Sequence, residues 1–272
     1  MAMKTLPDDR SVLAVLEPLA LQAGRRIMEI CDRGFAAEQK SDCSPVTEAD
    51  RDAEAIILKG LRENFPDIPV VAEEEAAEGH APVSVGSVFF LVDPLDGTRE
   101  FVSGNGDFTV NIALVRDGTP VIGVVYAPAR RELYSGYPGS ASMIRTDADH
   151  GPLDRSAIVV RDGCAPLTVV ASRSHNTPDT DAFIGRYEPA LRVSVGSSLK
   201  FCLLACGEAD LYPRLGRTMQ WDTAAGDAVL RAAGGMTRTL DGKPFRYGVG
   251  TAEGDAPFAN PHFVAEGRLP RD

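Results

Sequence analysis

The segment Val92-Asp-Pro-Leu-Asp-Gly-Thr98 decides how this chain is read. Just ahead of it, Val88 to Val92 is a tight apolar run, and a run that short, ending in an acid, reads as a buried strand. Asp93 then stands at a strand end, where functional groups gather in α/β folds. Pro94 is expected to fix a turn that brings Asp93 and Asp96 toward one point. Carboxylates held together repel one another unless a cation lies between them. Gly97 lets the backbone approach a ligand closely, and a helix opened at Thr98 would turn amide hydrogens toward a phosphate. An Asp-x-x-Asp-Gly tetrad alone reads as a surface turn; the strand before it and the threonine after it tilt the reading toward a site.

Working outward, the apolar stretch Ile68 to Ala72 also ends in acid, Glu73-Glu74-Glu75. Two of those three are expected to be solvated loop residues. One of them meeting Asp93 would complete a carboxylate nest for Mg²⁺, which takes octahedral oxygen coordination and keeps several waters. Asp222, after Trp221 and at the start of a helix, reads as an N-cap. The same position suits a carboxylate contributed from the second half of the chain.

Around these acids the elements fall in order. Asp8 or Asp9 caps a helix running to about Cys31, with Leu13, Leu16, Ala20, Ala23, Ile27 and Ile30 at helical spacing. A turn-rich stretch, 41–45, leads to a second helix from near Thr47, with Asp50 three residues on as a capping partner, stopped by Pro66. Phe108 to Arg116, Val121 to Tyr126 and Glu132 to Tyr137 read as an antiparallel meander, with a turn at Asp117-Gly118. A polar stretch from Thr146 to Gly163 divides the chain into an N-terminal α+β half, 1–160, and a C-terminal α/β half, 161–272. In the second half strands and helices alternate: strand Leu167 to Ala171, helix Pro178 to Tyr187, strand Arg192 to Val195, helix Ser198 to Cys206, strand Ala209 to Tyr212, helix Asp222 to Ala233, strand near Met236. The fold class is mixed α/β, with helices covering sheets.

Composition narrows the chemistry. The chain has 272 residues, enough for one large domain or two closely packed ones. Its formal net charge of −11 argues against a polymeric nucleic acid partner. A small phosphorylated ligand stays compatible, because a metal held by the acids reverses the local field. The five cysteines form no CxxC pair and no zinc spacing with the four scattered histidines, so any metal should be hard and held by oxygen. Cys202 and Cys206 lie four apart, as a redox pair on one helix face could, but small buried side chains in a reducing compartment is the simpler reading. No signal peptide is legible near the N-terminus, and the longest tight apolar run is too short to span a bilayer. A cytoplasmic location without a membrane span is therefore expected, equally compatible with a monomer or a dimer.

Thr47-Glu-Ala-Asp50, Glu73-Glu74, Asp93-Pro-Leu-Asp-Gly-Thr98 and Trp221-Asp-Thr-Ala-Ala-Gly226, taken in this order over nearly the whole chain, resemble the inositol monophosphatase superfamily of lithium-sensitive, metal-dependent phosphatases. Within it the chain is most similar to the 3′(2′),5′-bisphosphate nucleotidase branch. The stretches that carry this are Ser44 to Asp50, Asp93 to Phe101, Gly106 to Leu114, Gly123 to Pro128, Ser172-Arg-Ser-His175, Gly196 to Cys202 and Leu211-Tyr-Pro-Arg214.

The resemblance implies a layered α-β-α-β-α sandwich. It also implies magnesium-dependent hydrolysis of the 3′-phosphate of 3′-phosphoadenosine 5′-phosphate to AMP and phosphate, linked to sulfate assimilation. Glu73, Asp93, Asp96 and Asp222, with the backbone carbonyl of Leu95, would hold two or three Mg²⁺ ions. Thr98, paired with Asp50, would orient the attacking water and accept its proton, with Glu73 or Glu74 assisting. Gly97 and Thr98 would touch the transferred phosphate. His175, Ser197, Lys200, Arg214 and Asp222 would contact the rest of the nucleotide, Lys200 and Arg214 neutralising the second phosphate.

Without the resemblance, Lys200 reads as a snorkelling surface residue, His175 as a loop residue and Asp50 as a helix cap. Asp227 is expected to lie off the metals. The nearest alternative is a relative acting on inositol monophosphate or a sugar bisphosphate. A non-catalytic nucleotide or metal sensor on the same fold is the alternative from another class, and the Asp50–Thr98 pair speaks against it.

Overall fold

The computed structural model describes residues 8–40, 44–82, 84–172, 177–187, 190–248 and 256–269. Helix α1 (Asp9–Arg33) is capped by the Asp8 side chain, which accepts from the Ser11 amide. Short strands β1 (Ala37–Gln39) and β2 (Pro45–Thr47) pair antiparallel and lead into α2 (Glu48–Asn64). Thr47 accepts from the Ala49 amide while Asp50 accepts from the Thr47 amide and hydroxyl, the reciprocal cap expected of that spacing.

A seven-stranded sheet follows in the order β3 (Val70–Ala72), β4 (Val88–Asp96), β5 (Thr109–Arg116), β6 (Thr119–Ala127), β7 (Glu132–Tyr137), β8 (Ser140–Thr146) and β9 (Pro152–Ala157). Only β3 and β4 are parallel. Between them runs the short helix α3 (Glu73–Ala77), and after β4 comes α4 (Thr98–Val102). A second sheet has the order β11 (Ala190–Ser194), β10 (Leu167–Ala171), β12 (Leu211–Arg214), β14 (Phe263–Glu266) and β13 (Met236–Thr239). Its helices are α5 (Pro178–Ile184), α6 (Leu199–Ala205) and α7 (Gln220–Ala232).

Burial alternation along the strands shows how these pieces stack. Phe90 and Val92 face the core shared with α1 and α2, whereas Phe89 and Leu91 face the core shared with α6 and α7. In the second sheet Val170 and Tyr212 join that same α6–α7 core, while Val169 and Leu211 face Ile184 of α5. The result is five layers: α1–α2, the seven-stranded sheet, α6–α7, the five-stranded sheet, and α5. This is the α-β-α-β-α sandwich. Because β4 is covered on both faces, its sequence is apolar without alternation. Close packing also dictates a glycine: a Cβ on Gly123 of β6 would stand 2.2 Å from the Ala225 carbonyl of α7.

Four local features depart from expectation. The Glu73-Glu74-Glu75 run is not a loop but the first turn of α3, where acids suit the positive end of the helix dipole, and Glu74 is buried. The polar stretch after Thr146 contains β9, an edge strand exposed along its whole length and therefore without the burial pattern that marks a strand in sequence. Strand β14 lies between β12 and β13, antiparallel to both. Pro94 sits in a β-bulge rather than a turn.

Candidate active site

That bulge is what brings two carboxylates together. Residues three apart on a regular strand point to opposite faces of the sheet. Here Asp93 pairs with Asn111 and Asp96 pairs with Thr109, so β4 spends one residue more than β5 between the two pairs. The extra residue restores the parity and turns Asp93 and Asp96 to the same face. Asp93 Oδ1 accepts from the Leu95 amide at 3.1 Å, which holds the bulge closed. Gly97 follows with φ +94°, a left-handed conformation that costs a side-chain-bearing residue energy. The next residue, Thr98, opens α4.

These residues line one open cavity of about 260 Å³ together with Ser44, Glu73, Ser172, Ser197, Lys200, Arg214, Arg217, Thr218 and Asp222. One wall is acidic. Glu73 enters from the start of α3, Asp93 and Asp96 from β4, and Asp222 from the first turn of α7. Removal from water, together with the negative charge of Glu73, Asp96 and Asp222, holds the Asp93 carboxyl well above the ordinary range. Asp222 is raised in the same way, by burial and then by Asp96 and Glu73. Burial also raises Glu73 and Asp96, against the pull of Lys40 on the first and Lys200 on the second. Asp222 is the third residue of α7 rather than its N-cap, and its Oδ2 accepts from the Met219 amide at 2.8 Å.

Beside this wall, Thr98 Oγ1 donates to Asp50 Oδ1 at 3.0 Å and approaches the Leu95 carbonyl at 3.2 Å. Asp50 is 1% exposed, and its other oxygen is the cap acceptor of α2. It therefore does both jobs, one with each oxygen. Burial raises the Asp50 carboxyl, opposed by the hydrogen bonds from Thr47 and Thr98.

The opposite wall is basic. Lys200 is 5% exposed, so it is no snorkelling surface residue. Its ammonium donates to the Ser197 carbonyl at 2.6 Å and lies 5.5 Å from the centre of the Tyr212 ring. Burial brings it down to about 8, with Asp96 opposing that fall and Arg214 adding to it. Arg214, also buried, donates to the Arg217 carbonyl at 2.9 Å. The two walls are stitched together by 197–198. Ser197 Oγ and the Ser198 amide both donate to Asp96 Oδ2, at 2.6 and 2.8 Å, and Ser198 Oγ donates to the Asp222 carbonyl at 2.7 Å.

The structure thus gathers Glu73, Asp93, Leu95, Asp96, Gly97, Thr98, Ser197, Lys200, Arg214 and Asp222 around one cavity, with Asp50 behind Thr98. His175 lies outside the described residues. Asp227 is buried against Arg231, with the pair at 2.9 Å, and does not line the cavity. Cys202 is buried, and loss of water holds its thiol well above the ordinary range.

Sequence reading missed several participants. Lys40 Nζ bridges Glu73 at 2.8 Å and Glu74 at 2.6 Å. Burial lowers the Lys40 ammonium, but those two acids more than offset it and leave it raised. Arg217 and Thr218 lie on the basic side, and Glu54 supports α3 from beneath. Lys40 and Glu54 lie in no motif, and nothing in local sequence points from them to the acids they touch.

Among the described residues no three acidic, histidine or cysteine side chains converge into a ready-made cage for an ion. The acids line a wall instead, all oxygen donors, and the proton affinities of Asp93 and Asp222 are raised by burial and then by the neighbouring carboxylates. That suits a hard cation that keeps part of its water and takes few protein ligands, as Mg²⁺ does.

Comparison with known proteins agrees with this architecture. Residues 8–266 match the model of the inositol monophosphatase family, and the chain belongs to that family. Among curated relatives, the 3′(2′),5′-bisphosphate nucleotidase CysQ of Escherichia coli (strain K12) is 45% identical over 231 residues, covering 84% of this chain and 91% of that protein. The protein of the same name from Haemophilus influenzae is 30% identical over 253 residues, covering 92% and 90%. Among solved structures, CysQ from Bacteroides thetaiotaomicron superposes with a TM-score of 0.78 at 35% identity, covering 96% of this chain and 98% of that one. No helix among the described residues is long and apolar enough to cross a membrane.

Proposed function

We propose that this chain is a magnesium-dependent 3′(2′),5′-bisphosphate nucleotidase that converts 3′-phosphoadenosine 5′-phosphate to AMP and phosphate, the by-product clearance step of sulfate assimilation. The observation that carries the reading is the pairing of an acidic wall with a basic wall in a single cavity. A substrate with two phosphates matches it, one phosphate against the metal-holding acids and the other against Lys200 and Arg214. The names of the curated relatives point the same way.

Glu73, Asp93, Asp96, Asp222 and the Leu95 carbonyl would hold two or three Mg²⁺ ions, which supply positive charge that eases deprotonation of a water and offsets charge on the leaving oxygen. Thr98 Oγ1, already donating to Asp50, keeps lone pairs to accept a hydrogen bond from the attacking water. As the water oxygen bonds to phosphorus, its proton passes to Thr98 Oγ1 and that hydroxyl's own proton passes to Asp50. Asp50 is suited to receive it because burial raises its affinity for a proton. The bond between phosphorus and the 3′-oxygen breaks, and that oxygen takes its proton from solvent. Gly97 lets the backbone beside the transferred phosphate come close. Lys200 and Arg214, tied to backbone carbonyls, hold the other phosphate and so fix which end of the nucleotide faces Thr98.

The test is phosphate release with Mg²⁺ from 3′-phosphoadenosine 5′-phosphate, inositol 1-phosphate and fructose 1,6-bisphosphate, measured side by side. A strong preference for the first is expected, with inhibition by lithium. Preference for either of the others keeps the acid-wall chemistry and overturns the assignment of the basic wall.

A further inference from the structure

Helix α3 starts with three glutamates and has no cap of its own, because the residue before it is Ala72, which carries no hydrogen-bonding side chain. Its start is held from another element. Glu54 of α2 accepts the Glu74 amide with one carboxylate oxygen at 2.9 Å and the Glu75 amide with the other at 3.0 Å. Glu54 is 5% exposed and does not line the cavity, so it is placed for those two amides and not for a ligand. It also stands four residues after Asp50, on the same face of α2. One helix face therefore carries the acceptor for Thr98 and, one turn later, the acceptor for α3.

The carboxylates of Glu75 and Glu73 both repel that of Glu54, which makes it a costly choice if its task were only to fill space. Bidentate acceptance of two backbone amides fixes α3 in both tilt and rotation. Glu73 is the residue whose direction this sets, since it precedes both donors and its side chain leaves the same turn toward Lys40 and the cavity. We infer that Glu54 is a positioning residue for the metal site, locking α3 so that Glu73 is presented to the ion beside Asp93. The inference rests on the reading of Glu73 as a metal ligand.

The test is calorimetric titration of Mg²⁺ into the full-length wild-type chain and into Glu54→Gln, Glu54→Ala, Glu73→Gln and Asp52→Asn, with kcat and KM measured at saturating Mg²⁺. Residues that orient a metal ligand cost about tenfold to a hundredfold in metal affinity when changed. Glu54→Gln is expected to weaken Mg²⁺ binding about tenfold, and Glu54→Ala more, with kcat restored to within about threefold of wild type once Mg²⁺ saturates. Asp52→Asn, on the same helix but paired with Arg26 at the surface, should bind as wild type does. If Glu54→Ala does not fold, the isosteric glutamine variant carries the measurement. Binding within twofold of wild type in folded Glu54→Gln overturns the inference even if its Tm falls, because a purely structural role moves Tm alone. Wild-type binding in Glu73→Gln would instead sink the ligand reading of Glu73, which keeps the two failures apart.

Discussion

The acidic and basic walls of the cavity carry opposite kinds of stored cost. On the acidic wall burial raises the proton affinities of Asp93, Asp96, Glu73 and Asp222, and neighbouring carboxylates add to the rise of Asp93 and Asp222. On the basic wall Lys200 and Arg214 donate to the carbonyls of Ser197 and Arg217, which orient them. Elsewhere the chain neutralises such groups directly, as where Arg231 meets Asp227 and Arg161 meets Asp210. The contrast separates sites from scaffold. Scaffold charges such as these meet as single pairs of opposite sign, whereas the cavity gathers four acids on one wall and Lys200 and Arg214 on the other.

The strongest way to break that contrast is Asp93→Asn. Turnover should fall by about a thousandfold, equivalent to about 4 kcal/mol of lost transition-state stabilisation. The circular dichroism spectrum should be unchanged and Tm no lower than in wild type, because one crowded carboxylate has gone. Normal activity in the folded variant would remove the acidic wall from the chemistry.

Lys200→Ala and Arg214→Ala probe the other wall. Each should raise KM for 3′-phosphoadenosine 5′-phosphate by roughly thirtyfold, about 2 kcal/mol for a charged hydrogen bond, while leaving a monophosphate substrate nearly untouched. Equal damage to both substrates would make these residues structural. Because burial brings Lys200 down to about 8, KM for the bisphosphate should also climb as pH passes that value, and Lys200→Arg should flatten the rise.

A smaller effect concerns the metal-free protein. Burial pushes Glu54 and Glu74 up to about 7 from the 4.5 of an unfolded chain. The folded state then binds more protons between those values, so stability is greatest below about 4.5 as far as these groups go and is lost as pH rises through 7. Without divalent metal, Tm should be lower at pH 7.5 than at pH 5, and added Mg²⁺ should narrow the gap by binding the folded chain more tightly at pH 7.5, where the wall carboxyls give up protons more readily. A Tm that rises with pH in chelator would count against this account of the carboxylates. Least of all on activity should be Asp227→Asn, which disturbs a buried scaffold pair. It should lower stability by about 3 kcal/mol and leave kcat unchanged.

Much of this architecture was legible because its signals are local. The spacing in α1, the cap at Thr47 and the apolar run before Asp93 depend on neighbours within a few residues, and they are where the sequence places them. Strand β9 was not legible, since an edge strand exposed on both faces has no burial period to read. The acids at 73–75 read as a loop by composition, and became a helix because a carboxylate 20 residues earlier accepts their amides. The likeness of the ordered motifs to a phosphatase superfamily, and with it the choice of candidate residues, came from sequence alone.

By itself, then, the sequence determined which residues are acids and bases and where α1, α2 and the strand before Asp93 lie, because these follow from short-range preference. The ordered likeness to a phosphatase superfamily picked out the candidate segments. Tertiary structure alone decided that Asp93 and Asp96 share a face, since their parity is set by the partner strand that spends one residue fewer. It also decided that Ser197 and Ser198 tie Asp96 to Asp222, and that Lys200 is buried rather than afloat at the surface. The bonds from Ser197 and Ser198 to Asp96 join residues 101 and 102 positions apart, and they form only when burial of the shared α6–α7 core brings the two sheets onto opposite sides of one layer.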